Sequence, residues 1–220
     1  MTSIKGSLAS DETYITTDNK QWEFERDRCA LLVIDMQNDF VAEDGCVRVT
    51  EAIKQIPKIK NLIGKCREFC VPIIYTLQKV DPVFCPLEVM TRPALLNGGV
   101  REGTWGTEVF SQIAPMPNDL LVWKRRFSAF FQTDLEILLR NVRGCEKPVD
   151  TVIICGTVTN ICCESTARDA YFRDYKVVFG SDVTSARYKD AHYASLRNME
   201  FFGRVLDCET IIKALEQGKG

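Results

Sequence analysis

A single histidine, no Cys-x-x-Cys pair, no surplus of either charge and no long apolar stretch set the first limits on this 220-residue chain. With His192 alone, a zinc site would have to draw on cysteine or carboxylate ligands, and none has suitable spacing. For the same reason a Cys-His catalytic pair could use only His192. No run approaches the roughly 20 apolar residues of a membrane helix. The first residues, MTSIKGSLASDETY, lack the apolar core of a signal peptide, so a cytoplasmic protein is expected. The 28 basic and 30 acidic residues are well mixed and leave a net charge of −2. That balance gives no reason to expect nucleic acid or an anionic membrane as partner. Neither a GxGxxG nor a Walker pattern is present, and the one-glycine turn GTV is no phosphate loop.

What is present is enough apolar material for one sizeable core, at 45% of residues, and 10 cysteines. Cys29, Cys66, Cys70 and Cys155 stand in apolar contexts and read as small buried hydrophobes. Residues 1–28 read as a polar arm with Trp22 and Phe24 as anchors, and residues 29–220 as one domain. Continuous apolar runs at 29–36, 71–78, 119–124, 149–156 and 176–182 read as strands buried on both faces. A shorter sixth follows Gly203. Between them lie helical patterns. Ile56, Ile59, Ile63, Cys66 and Cys70 recur at helical spacing, with Pro57 tolerable near a helix start. Further helices are expected after Thr133, from Thr159 to Asp174, over 189–203 and over 209–217. Residues 79–118 read mostly as loop, a length usually functional or interfacial. Strands alternating with helices give an α/β fold: three layers, α/β/α, around a mostly parallel, Rossmann-like sheet of about six strands.

In such a sheet ligands bind at the carboxyl ends of the strands. The first strand delivers Asp35 there, the third Lys124. The fourth runs through Gly156-Thr157-Val158-Thr159 to Cys162 in the first turn of a helix. Each alone has a plainer reading. Asp35 could open a solvated loop, Lys124 could join Arg125 and Arg126 on a wet face, and Cys162 has Cys163 beside it. Together they form a coherent set. A helix N-terminus and a lysine favour a thiolate, a carboxylate can take the thiol proton, and backbone N–H groups can hold an oxyanion. Thr159 is the expected N-cap. The reaction class is acyl transfer through a thioester.

Three segments carry a resemblance: LLVIDMQNDF (31–40), VWKRRFSAFFQTDL (122–135) and IICGTVTNICCESTARDA (153–170). By these the chain resembles the isochorismatase-like cysteine hydrolases from about Cys29 onward. The resemblance implies Asp35 as general base, Lys124 as partner of the thiolate and transition state, and Cys162, two residues after Asn160, as nucleophile. It implies a cis peptide bond at Thr157-Val158 and an oxyanion hole from the N–H groups of Val158 and Cys162. Cys163 then reads as packing. Nicotinamidases in that family place an Asp and several His after the second strand. Here that stretch is TLQKVDPVFCP, so no metal and no cofactor are expected. Cys162 also separates the chain from true isochorismatases, which lack the nucleophile. REGTWGTEV (101–109), the run at 117–131 and TNICCESTARDAYFRDY (159–175) resemble ureidoacrylate amidohydrolases and biuret hydrolases. The expected substrate is therefore a small ureido- or carbamoyl-type amide. Alternatives are a different small amide, as in a nicotinamidase, or a non-catalytic binder or redox-responsive protein using Cys162 and Cys163. Gln37, Phe40 and Trp105 are candidate substrate contacts. Phe127 and Phe131 read as packing, His192 as the first turn of an exposed helix, and Asp182 as structural. By analogy a homo-oligomer, dimer or tetramer, is expected.

Overall fold

The computed structural model describes Trp22, residues 25–144 and residues 146–218. Phe24 and most of the arm lie outside the described residues. Six apolar runs become six strands: β1 (Cys29–Ile34), β2 (Ile73–Gln78), β3 (Leu120–Lys124), β4 (Thr151–Thr157), β5 (Lys176–Ser185) and β6 (Arg204–Leu206). The helices are α1 (Asn38–Val41), α2 (Ala52–Glu68), α3 (Pro86–Thr91), α4 (Pro93–Leu96), α5 (Leu135–Asn141), α6 (Glu164–Tyr171), α7 (Lys189–Met199) and α8 (Cys208–Gln217). All strand neighbours pair in parallel, in the order β3-β2-β1-β4-β5-β6.

Every residue of β1, β2 and β4 is buried, which is why those runs show no polar alternation. Their side chains divide between two layers. Cys29, Leu31 and Val33 pack with Ile59 and Leu62 of α2 and Ile211 and Leu215 of α8. Ala30, Leu32 and Ile34 pack with Leu135 and Leu139 of α5, Ala167 and Ala170 of α6 and Met199 of α7. Each such Leu or Ile contributes about 1.5–3 kcal/mol relative to an exposed position. Trp22 packs against the first layer, with Lys176 and Arg204 over its ring at 5.8 and 5.5 Å.

Local departures from the sequence reading have local causes. Pro57 lies inside α2, because burying Ile56, Ile59, Leu62 and Ile63 outweighs the roughly 3 kcal/mol a helical proline costs. Cys70 is not on that helix and is exposed. It adopts φ 54° in the left-handed stop of α2, where the Val71 N–H reaches back to the Cys66 carbonyl at 2.7 Å. β5 runs past Asp182 to Ser185 after an irregularity in its pairing with β4. Asp182 is structural: it pairs with Lys58 at 2.6 Å and accepts from the Cys208 N–H at 2.7 Å. Residues 79–118 are more ordered than expected. They hold α3, α4 and two 3₁₀ turns, Trp105–Thr107 and Ser111–Ile113, around their own apolar cluster of Val80, Cys85, Val89, Leu95 and Val100.

The strand order reverses between β1 and β4, and there the two strands come unusually close. Gly156, opposite Ile34, has φ 115°, and a Cβ on it would sit 2.1 Å from the Ile34 carbonyl oxygen. Gly156→Ala is therefore expected to cost roughly 2–4 kcal/mol of unfolding free energy. Urea denaturation checks this; an unchanged midpoint would contradict the close approach.

Candidate active site

Three neighbouring strands end in a polar row. Asp35 follows β1, Gln78 ends β2, and Lys124 ends β3 in register with Gln78. Asp35 leaves its strand with φ 49°, a left-handed geometry that Asp tolerates better than most residues. Its N–H donates to the Thr76 carbonyl at 3.1 Å, and the Thr76 hydroxyl donates to Asp35 Oδ1 at 2.8 Å. Lys124 Nζ lies 2.6 Å from Asp35 Oδ2, both side chains 0% exposed. The ammonium also donates to Gln78 Oε1 at 2.6 Å and to the Arg126 carbonyl at 3.2 Å. Lys124 is thus no part of a wet basic face.

From the other half of the sheet comes the sulfur. After the cis peptide Thr157-Val158, residues Thr159–Cys163 form a wide π-helical turn that leads into α6. There Lys124 and the Val158 N–H favour the Cys162 thiolate, and Asp35 disfavours it. Cys162 is also tied from behind. Its carbonyl accepts from the Thr166 hydroxyl at 2.7 Å, and that oxygen accepts from the Ala129 N–H at 3.0 Å, in the loop after β3. Cys163, its neighbour, is fully buried in the helical layer.

Burial pushes the Cys162 thiol up; Lys124 pulls it down, Asp35 pushes it up again, and the outcome is about 12. Cys162 therefore rests as a thiol. For Lys124, burial pulls the ammonium down, but Asp35 and then the Cys162 side chain outweigh it and hold it above its ordinary range. The resting arrangement is a neutral thiol beside a buried carboxylate and ammonium.

Thr159 is not a cap. The turn starts from Val158 with no side-chain cap, and Thr159 Oγ1 instead lies 2.9 Å from His192 Nδ1. His192 is half-buried on α7, behind the turn, rather than on an exposed face.

A cavity of about 400 Å³ opens over the Cys162 sulfur. Its wall includes Phe40, Gln78, Val80, Val100, Phe127 and Val158. Of the candidate substrate contacts, Phe40 lines it. Gln37 does not: it is 0% exposed, and its amide is spent on the Gln78 and Thr107 carbonyls and the Gln78 N–H. Trp105 does not either; it is exposed, and its carbonyl accepts from the Asn38 amide. Phe127, read as packing, is in the wall with the Arg92 guanidinium over its ring, whereas Phe131 is exposed elsewhere. Gln78 and Thr76 escaped the sequence reading. For Gln78 the signal was available, since it ends an apolar run as Asp35 and Lys124 do, whereas Thr76 lies inside β2. Among the described residues, no three His, Cys, Asp or Glu side chains gather as a metal would require.

This geometry makes a sign-dependent prediction. At neutral pH Cys162 reacts slowly with iodoacetamide, and its rate climbs as pH approaches about 12. In Asp35→Asn, Lys124 keeps one anionic partner to favour, the Cys162 thiolate, so alkylation of Cys162 at neutral pH should accelerate roughly tenfold or more. Peptide mapping separates Cys162 from the exposed Cys46 and Cys70. A slower reaction in the variant would contradict this charge arrangement.

Comparison with known proteins agrees with the fold. Residues 29–210 match the isochorismatase domain model. Ureidoacrylate amidohydrolase RutB of Yersinia enterocolitica is 31% identical over 208 residues, covering 84% of this chain and 88% of that protein. Nicotinamidase 3 of Arabidopsis thaliana is 32% identical over 190 residues, covering 84% and 88%. The crystal structure of a cysteine hydrolase from Pseudomonas syringae pv. phaseolicola superposes with a TM-score of 0.82 at 31% identity, over 89% of this chain and 96% of that one. Because the domain match spans the whole sheet and its flanking layers, the chain belongs to the isochorismatase domain family.

Proposed function

We propose that this chain is a cysteine-dependent amidohydrolase that cleaves a C–N bond of a small ureido- or carbamoyl-type amide. The observation that carries this reading is a buried carboxylate and its ammonium partner, both acting electrostatically on the Cys162 thiol. The similarity to a ureidoacrylate amidohydrolase supports the choice of bond.

Asp35 accepts the Cys162 proton as the sulfur attacks the carbonyl carbon. The oxyanion is held by the N–H groups of Val158 and Cys162. Asp35 returns the proton to the leaving nitrogen as the C–N bond breaks, leaving a thioester-type adduct. A water molecule, deprotonated by Asp35, then attacks the adduct, and the Cys162 sulfur leaves and recovers its proton. Lys124 remains charged throughout and stays paired with the Asp35 carboxylate. The raised Cys162 thiol fits this sequence, because the proton leaves only when the carbonyl is in place to accept the sulfur. A nicotinamidase-like amide is the second reading, favoured by the similarity to Nicotinamidase 3.

We also propose a cytoplasmic homo-oligomer, dimer or tetramer, with the exposed Val83, Phe84, Leu87 and Met90 as part of the contact. No helix among the described residues is long and apolar enough to cross a membrane.

Ammonia release from ureidoacrylate, biuret, N-carbamoyl amines and nicotinamide tests the activity. Turnover of one ureido compound is expected, with Cys162→Ser and Asp35→Asn each reduced at least roughly a thousandfold in kcat. Full turnover in both variants would refute the mechanism.

A further inference from the structure

Within the cavity wall, one buried polar atom has no partner. Gln78 is 3% exposed, and its Nε2 makes no hydrogen bond. Its orientation is set by its neighbour. Lys124 Nζ can only donate, so the amide must turn Oε1 toward it, and the pair lies at 2.6 Å. Gln78 lines the cavity, and its remaining NH₂ is a buried donor without a partner, on the same amide that holds Lys124, the partner of Asp35. An unmade buried donor is costly, so such an atom is a strong selector once a ligand arrives.

The rest of the buried wall offers a ligand little but hydrocarbon. Val49, Val80, Leu95 and Val100 are each 3% exposed or less, and Phe40 and Phe127 stand between them. Two cations touch the cavity, Arg92 and Arg187. Arg92 is committed to Glu88 at 2.8 Å and stacks on Phe127, and Arg187 is solvent-exposed. A carboxylate carried against the buried part of this wall would lose its hydration there, since both cations are exposed.

We infer that the substrate is uncharged and carries an apolar substituent together with a second hydrogen-bond acceptor, which Gln78 Nε2 binds. This deepens the reading under Proposed function and rests on it. The reacting carbonyl goes to the Val158 and Cys162 N–H groups, so Gln78 needs a different acceptor, a second carbonyl being the simplest. An N-acylurea with an aliphatic or aromatic acyl chain has all three features. Gln78 is then a specificity-determining residue, and the wall built by residues 80–100 selects against charge.

Three probes test this: an N-acylurea with a phenyl-terminated chain, the same acylurea ending in a carboxylate, and a phenyl-terminated alkylurea without the second carbonyl. The expected kcat/KM for the apolar acylurea exceeds that for the carboxylate form by roughly tenfold or more. Gln78→Met also removes an acceptor from Lys124 and so lowers kcat on both ureas, but on the acylurea alone it should raise KM as well, roughly five- to tenfold. Equal or reversed preference for the carboxylate overturns the inference. So does an equal loss on acylurea and alkylurea, which a merely structural Gln78 would give. If no probe is hydrolysed, calorimetric binding to Cys162→Ala decides. Tighter binding of the apolar acylurea upholds the inference while the amidohydrolase reading falls; binding without preference, or none, overturns it.

Discussion

A lysine and an aspartate, both fully buried and 2.6 Å apart, are the most demanding contact in this molecule. Removing two charges from water costs several kcal/mol per ion, and attraction offsets that only when the geometry is tight and the remaining valences are filled. Here they are filled by Thr76 on Asp35 Oδ1, and by Gln78 Oε1 and the Arg126 carbonyl on Lys124. The pair spans from the end of β1 to the end of β3, across β2, so it can form only if three strands keep their register. A well-packed apolar pair would hold the fold at least as well. On the proposed function, the charges are there for what they do to the sulfur of Cys162.

The two halves of the sheet contribute different things. β1, β2 and β3 bring the charges and the amide that orients around them. β4 brings backbone: a glycine that lets the strand press against Ile34, a turn that directs the Val158 N–H, and the sulfur at the start of a helix. The site therefore sits where the strand order reverses, the one place in such a sheet where loops from both halves diverge and leave a crevice. Residues 79–118 close that crevice from the side with a small apolar cluster of their own, and so decide what shape and polarity reach the sulfur.

Much of this was legible in the sequence, for physical reasons. Strands buried on both faces must be continuous apolar runs, so their number and order could be read directly, and a charge ending such a run stands out. Asp35 and Lys124 were found that way. Gln78 has the same position but no charge, and the polar ending of IIYTLQ drew no notice. The sequence shows the lysine and the helix start, which favour a Cys162 thiolate, but not the depth of burial, which pushes the thiol up. Thr159 has the right residue type for a cap, yet the wide turn and His192, distant in sequence, claim its hydroxyl. Gln37 was placed in the pocket by its position in the loop after Asp35. Only the fold reveals that Gln78 and Thr107 consume its amide.

The central claim is that Cys162 rests protonated next to the Asp35 and Lys124 pair and becomes covalently attached to the substrate carbonyl only during turnover. Acid quenching in the first turnovers, followed by peptide mass analysis, reads this directly on a substrate that releases ammonia. The account predicts an acyl or carbamoyl adduct on Cys162 in the native protein, with no such adduct in Asp35→Asn. Turnover with Cys162 unmodified at every quench time, in a protein whose Cys162→Ala variant remains active, would contradict it.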